Sequence, residues 1–257
     1  MNFQTMHQQS TPLLIGNVWD VASAQAVKQA GYQAIGTSSA AIASMFGYAD
    51  GEGLSFTELR QLVARLAAVC DLPLSVDMEA GYADEPAQVV ANLAALAALG
   101  VVGVNLEDSV VRRGERRPLD AKVFAARLAA IKAKLAAAGI EMFLNVRTDT
   151  FLLGDEDAQL ETIRRGRLYA EAGADGLFVP CVVQPQDIAA IVEAVPLPLN
   201  VMCMPQLPAF DRLAALGVKR ISMGNFVHSQ LQQQLLQTLQ AIRTQQSFLA
   251  VFEHAGH

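Results

Sequence analysis

Eight short apolar runs alternate with longer stretches of helical periodicity along the chain, and this alternation narrows the possible folds more than any other feature. The runs are Leu13-Leu14-Ile15-Gly16-Asn17, Ala34-Ile35-Gly36-Thr37-Ser38, Leu74 to Glu79, Gly103 to Glu107, Met142 to Thr148, Gly176 to Pro180, Leu199 to Met202 and Arg220 to Met223. Their shortness and apolar character read as buried strands. Between them, segments such as Phe56 to Val69, Pro86 to Leu99, Ala121 to Ala138 and Gln159 to Glu171 repeat apolar residues at helical spacing. Several end in a helix-stop signal: Ala30-Gly31, Leu99-Gly100, Ala138-Gly139, Ala172-Gly173 and Leu216-Gly217. Eight strand-helix repeats in 257 residues predict an α/β protein, a closed (β/α)8 TIM barrel. A doubly wound open sheet shares the local pattern, but the count of eight and the lack of GxGxxG after the first strand favour closure.

We expect residues 1–257 to form a single barrel domain, with the polar stretch 1–11 a flexible tail. Residues 225–257 predict a C-terminal helical segment. Its Gln- and Leu-rich helix and the run Phe248-Leu249-Ala250-Val251-Phe252 would leave apolar surface that a neighbouring subunit could cover, which points to a homo-oligomer. A composition of 52% hydrophobic and 17% charged residues suits a large buried core. The net charge of -6 removes the electrostatic attraction on which non-specific nucleic-acid binding depends, so no nucleic-acid partner is expected. No apolar run reaches the roughly 18 to 20 residues of a membrane span; Val89 to Val104 comes nearest and is broken by Asn92 and Gly100. No signal arrangement opens the chain, and a cytoplasmic location is expected. Cys70, Cys181 and Cys203 lack metal-site spacing and read as buried thiols.

A TIM barrel forms its active site at the carboxyl ends of its strands, so the last residues of each run are the ones to read. They are rich in polar groups: Asn17, Thr37, Ser38, Ser39, Asp77, Glu79, Glu107, Asp108, Asn145, Arg147, Asp149 and Asn200. Two neighbouring strands deliver carboxylate pairs, Asp77/Glu79 and Glu107/Asp108, and hard oxygen ligands of this kind suit a divalent ion of the magnesium type. Arg147 is the one basic residue at a strand end. Its guanidinium fork would grip an anionic substrate, or else pair with a nearby acid such as Asp77 or Glu107. His228, just past the last strand, is a candidate acid or base, or simply a solvent-facing residue at a helix start.

Four segments carry a family resemblance. Gly36-Thr37-Ser38-Ser39 leading to Gly47-Tyr48-Ala49-Asp50-Gly51, then Asp77-Met78-Glu79-Ala80-Gly81-Tyr82, Asn105-Leu106-Glu107-Asp108-Ser109 and Asn145-Val146-Arg147-Thr148-Asp149, resemble the isocitrate lyase and phosphoenolpyruvate mutase superfamily in content and order. The resemblance spans about residues 12 to 225. It implies a Mg2+-dependent barrel, with Mn2+ as a substitute, assembled as a homodimer or homotetramer in which the last helix is exchanged between subunits. It also implies a small anionic substrate, a 2-oxo acid or related carboxylate, reacting through an enolate. By position Asp77 matches the direct metal ligand, and Glu79, Glu107 and Asp50 match the acids around the metal's water shell. Ser38, Ser39 and Ala40 match the segment that binds the substrate carboxylate, Arg147 matches the arginine that contacts it, and Asn145 stands beside it in the same motif.

One loop departs from the resemblance. Ser109 to Leu119 contains no Cys, which the lyase branch uses as an acid, and no Lys with Asn or Thr, which the phosphoryl-transferring branches use. It holds Arg112, Arg113, Arg116 and Arg117 around Gly114 instead. Such a loop could close over a dianionic substrate, with Arg113 joining Arg147 and Asp50 as the catalytic candidates, or remain a solvated basic loop. The reading is a Mg2+-dependent lyase that breaks a C–C bond or decarboxylates through an enolate. The alternatives are phosphonopyruvate-type P–C chemistry and a degenerate barrel that binds a 2-oxo acid without turnover.

Overall fold

A computed structural model describes residues 2–51 and 53–252. Strands β1 (Leu13–Val18), β2 (Ala34–Thr37), β3 (Leu74–Asp77) and β4 (Val101–Glu107) are followed by a separate antiparallel pair, β5 (Ser109–Arg112) and β6 (Glu115–Pro118). Then come β7 (Phe143–Arg147), β8 (Gly176–Phe178), β9 (Leu199–Met202) and β10 (Arg220–Ser222). All but β5 and β6 close into one parallel barrel in the order β1-β10-β9-β8-β7-β4-β3-β2. Each of the eight predicted runs supplies one stave.

The helices are α1 (Phe3–Met6), α2 (Val21–Gln29), α3 (Ser39–Phe46), α4 (Phe56–Val69), α5 (Pro86–Ala97), α6 (Ala121–Ala137), α7 (Thr150–Leu153), α8 (Ala158–Glu171), α9 (Pro185–Ala194), α10 (Phe210–Ala215), α11 (Phe226–Gln245) and α12 (Leu249–Phe252). Their starts follow local chemistry. Asp20 with Ser23 and Ser55 with Glu58 form capping boxes on α2 and α4, and α5 and α9 open on proline. Gly100 and Gly139 follow α5 and α6 with φ of 86° and 66°, a left-handed backbone that spares an L side chain its steric penalty. The principal core lies between staves and outer helices, with Leu93, Leu96, Leu128 and Leu135 among its fully buried side chains.

The barrel interior is layered by polarity. At its amino end Leu13, Ile15, Ala34 and Phe143 form an apolar floor. The N-terminal segment corrects one expectation: described residues 2–7 are no flexible tail but a plug in that end of the barrel. Phe3, Met6 and His7 fall at i, i+3 and i+4 on a helix capped by Asn2 and are buried, with the His7 ring stacked on Phe143 at 4.2 Å. Gly103 leaves room for the plug, since a Cβ there would stand 2.8 Å from a Phe3 ring carbon. Burying Phe3 and Met6 contributes about 1.5–3 kcal/mol each against the entropy of ordering the segment.

Two more expectations change. All three cysteines are free, but only Cys70 is buried; Cys181 is half-buried and Cys203 exposed. The loop after β4 is a hairpin with a two-residue turn at Arg113-Gly114, where both φ values are positive as a type I′ turn requires. At the C-terminus, α11 leaves Leu231, Leu235, Leu236 and Leu239 exposed, as are Phe248, Leu249 and Phe252; residues 253–257 lie outside the described residues. No described helix is long and apolar enough to cross a membrane.

Candidate active site

At the carboxyl end of the barrel a cavity of about 210 Å³ is lined by Ser38, Ser39, Ala40, Asp50, Asp77 and Arg147, and also by Arg116, Phe178 and Arg220. Asp77 ends β3. Its backbone N–H donates to Thr37 Oγ1 at 2.8 Å, and its Oδ2 accepts from the Ser39 N–H at 3.2 Å and the Ser39 hydroxyl at 2.8 Å. Its other oxygen, Oδ1, is buried without a hydrogen-bond partner. Ser38 caps α3, so the amino end of that helix, with its partial positive charge, is presented to the cavity. That helix end favours an anion, although the Asp77 carboxylate already takes the Ser39 N–H.

A second cavity of about 320 Å³ adjoins the first through Arg116, and Glu79 and Glu107 line it. Glu79 adopts φ of 47°, uncommon for a residue with a side chain, and its carboxylate accepts from the Tyr82 hydroxyl at 3.2 Å. Between the cavities lies a dense charge cluster. Arg147 Nε donates to Asp149 Oδ1 at 2.7 Å and stands 3.4 Å from Glu107 Oε2. Arg116 reaches in from β6 to bond Glu107, and its guanidinium also meets Asp149 at 3.2 Å, Ser109 at 2.9 Å and Asp50 at 3.4 Å. Burial pushes the Glu107 carboxyl up to about 8 even though Arg147 and Arg116 oppose it. Burial pulls Arg147 the other way, yet Glu107 and Asp149 outweigh it and hold the guanidinium above its ordinary range.

Beneath the cavity the barrel is polar. Asn145 donates to Asn105 Oδ1 at 2.9 Å and to Asn200 Oδ1 at 3.0 Å, and Asn200 donates in turn to Ser222 Oγ at 3.1 Å. Arg220, which opens β10, is fully enclosed. Burial brings its guanidinium down to about 10, with Asp77 opposing, so it stays cationic at neutral pH.

The structure therefore gathers most of the predicted residues and moves some. Asn145 is a strut below the cavity and not part of its lining, because both of its amide hydrogens are engaged by neighbouring asparagines. Arg113 sits exposed at the hairpin turn, away from both cavities, and Arg116 occupies the place foreseen for it. Strand pairing explains this: Arg116 lies opposite Val111 in the hairpin, whereas Arg113 stands at its tip. Arg147 realises the ion pair with Glu107 and Asp149 while still facing the cavity. His228 is buried edge-on against Trp19 at 4.9 Å and lines neither cavity. Arg220 begins its strand, so the strand ends do not point to it; its two-residue alternation with Ser222 is the signal that turns it to the barrel interior.

Among the described residues no three His, Cys, Asp or Glu side chains converge closely enough to ligate an ion together. The donor set nevertheless fits Mg2+, which keeps several waters and takes few direct carboxylates. The unpartnered buried Oδ1 of Asp77 is a ready direct ligand, and Glu79, Glu107 and Asp50 are carboxylates suited to its water shell.

Residues 3–243 match the family model described as phosphoenolpyruvate phosphomutase. The chain belongs to the isocitrate lyase and phosphoenolpyruvate mutase superfamily. Within this superfamily it is 31% identical to an oxaloacetate decarboxylase of Paraburkholderia xenovorans, over 90% of this chain and 77% of that protein. A solved structure from Burkholderia cenocepacia J2315, to which a phosphonomutase role has been provisionally ascribed, shares 39% identity at a TM-score of 0.86, covering 93% of this chain and 97% of that one. The barrel also superposes on phosphonopyruvate hydrolase complexed with oxalate and Mg2+, with a TM-score of 0.83 over 98% of this chain and 94% of that one; at 21% identity this shows the shared fold. Superfamily members are lyases and mutases, and this chain is an enzyme of that kind.

Proposed function

We propose that this enzyme is a Mg2+-dependent lyase that acts on a small 2-oxo acid through an enolate, breaking a C–C bond or decarboxylating. The observation that carries the reading is the buried, unpartnered Asp77 Oδ1 in a cavity that also presents the amino end of α3. The cavity, about 210 Å³, has room for a small acid. Bound at Asp77, with Glu79, Glu107 and Asp50 toward its water shell, Mg2+ would supply Lewis-acid stabilisation of a developing enolate oxygen.

The protein's own groups do the rest. The Ser38-Ser39-Ala40 segment holds the substrate carboxylate chiefly through the Ala40 N–H and the partial charge of α3, since the Ser38 and Ser39 N–H groups already donate to the Val18 carbonyl and Asp77 Oδ2. Arg147 holds Asp149 ionised and fixes both Asp149 and Glu107 beside the cavity. Arg116 and the hairpin roof it, limiting water access to the enolate so that protonation is controlled. The relation to an oxaloacetate decarboxylase favours decarboxylation, and the family model's description favours P–C chemistry as the second reading. Turnover of oxaloacetate, phosphonopyruvate, isocitrate and methylisocitrate with Mg2+, against Asp77→Ala, tests the proposal. We expect activity on oxaloacetate that disappears in the variant. Efficient isocitrate cleavage would overturn the reading of the hairpin, Mg2+-dependent oxalate binding without turnover of any of the four would favour a binding-only barrel, and an Asp77→Ala enzyme with intact activity would refute the metal assignment.

A further inference from the structure

Three arginines line the barrel-mouth cavity, and two have their charge matched by carboxylates. Arg147 is engaged by Asp149 and Glu107, and Arg116 by Glu107, Asp149 and Asp50. Arg220 is different. Its Nη2 lies 3.4 Å from Ser75 Oγ and 3.5 Å from Asn105 Oδ1, both neutral groups at the limit of hydrogen bonding, and its Nε and Nη1 are buried with no partner. Among the described residues no carboxylate forms an ion pair with it.

A buried guanidinium with unmatched donors costs the fold stability that an apolar side chain of similar size would not. Among the described residues no ion pair offsets that cost. The same cavity contains a complementary defect, the unpartnered Oδ1 of Asp77. A buried acceptor and buried donors that do not satisfy one another are two unmet demands on residues that line one cavity. The first suits a cation and the second an anion.

We propose that Arg220 is a substrate-binding residue, the anion receptor on the cavity floor, donating from its guanidinium to a carboxylate oxygen of the substrate. This rests on the reading of the site as a Mg2+ and 2-oxo-acid site. It divides labour among the arginines: Arg116 and Arg147 hold the acids around the metal position, and Arg220 meets the incoming anion. A planar fork suits a carboxylate, and a low-dielectric floor strengthens each charge-assisted bond.

Oxalate is the probe, titrated by calorimetry into the full chain with Mg2+, for the wild type, Arg220→Lys and Arg220→Gln. Loss of charge-assisted hydrogen bonds predicts roughly 30-fold weaker oxalate binding in Arg220→Gln, partly restored in Arg220→Lys. Mg2+ binding without oxalate is expected to be unchanged or tighter, because a like charge has gone; a purely structural role would weaken both. A crystal structure of the wild-type Mg2+–oxalate complex gives a readout independent of variant folding, with an Arg220 nitrogen expected about 3 Å from an oxalate oxygen. Oxalate beyond hydrogen-bond reach of Arg220 in that complex, or a folded Arg220→Gln protein binding within about twofold of wild type, overturns the assignment. If the wild type binds no oxalate with Mg2+, the functional reading falls and this one with it. Wild-type binding with an unaffected Arg220→Gln overturns this one alone.

Discussion

Protonating His7 should loosen the plug at the amino end of the barrel. Its Nδ1 lies 2.9 Å from the Phe3 carbonyl oxygen, which can only accept, so Nδ1 carries the ring hydrogen and Nε2 is the bare nitrogen. That Nε2 is buried with no partner, so an added proton there would find no acceptor. Burial first, then the positive charge of Arg220, brings the imidazole down from 6.5 to about 4. In the unfolded chain the ring takes a proton near pH 6.5, whereas in the fold it resists until about pH 4. The unfolded state therefore binds more protons in this window, and stability falls as pH drops through it. At about 1.36 kcal/mol per pH unit the loss is about 3 kcal/mol, complete near pH 4 and absent above about pH 7. Carboxylates titrate in the same range, so the measurement is the difference between wild type and His7→Phe, which keeps a ring against Phe143 but cannot titrate. Urea unfolding at several pH values from 7.5 to 4 should show the wild type losing about 3 kcal/mol more than the variant. A wild-type-minus-variant difference that stays constant with pH would refute the reasoning.

Two further outcomes follow from the charge cluster and the C-terminal helix. Arg116→Gln removes a cation that holds down the Glu107 carboxyl, already near 8, so the carboxylate form should become scarcer and Mg2+ binding at pH 7 weaker by roughly tenfold, with recovery at higher pH; Mg2+ titrations at pH 6.5, 7.5 and 8.5 check this, and an unchanged pH profile counts against it. The paired substitution Leu235→Glu and Leu239→Glu, on the exposed face of α11, should shift the protein to a smaller species by light scattering while far-UV circular dichroism stays the same.

How much of this was legible in the sequence depended on whether the governing interactions were local. The staves and helices were legible because period, caps and Gly stops act within a few residues, and each of the eight runs became a stave. The acidic ends of β3 and β4 were legible too, since a barrel directs strand ends to one mouth. Position inside that mouth was not. Asn145 and Arg147 lie two residues apart on one strand, yet one is a strut enclosed by Asn105 and Asn200 and the other lines the cavity.

The sequence by itself determined an eight-stave barrel, its acidic mouth and its superfamily, because these depend on pattern and motif order. Tertiary structure alone decided which charges cancel. Closing the hairpin with a two-residue turn carries Arg116 to Glu107 and leaves Arg113 at the tip. Folding Phe3, Met6 and His7 into the open end turns an apparent tail into the floor. Burial inside the closed ring leaves Arg220 and Asp77 each with unmatched polar atoms. Those outcomes depend on contacts between residues far apart in the chain, such as Arg220 with Ser75, 145 positions away, and no local pattern records them.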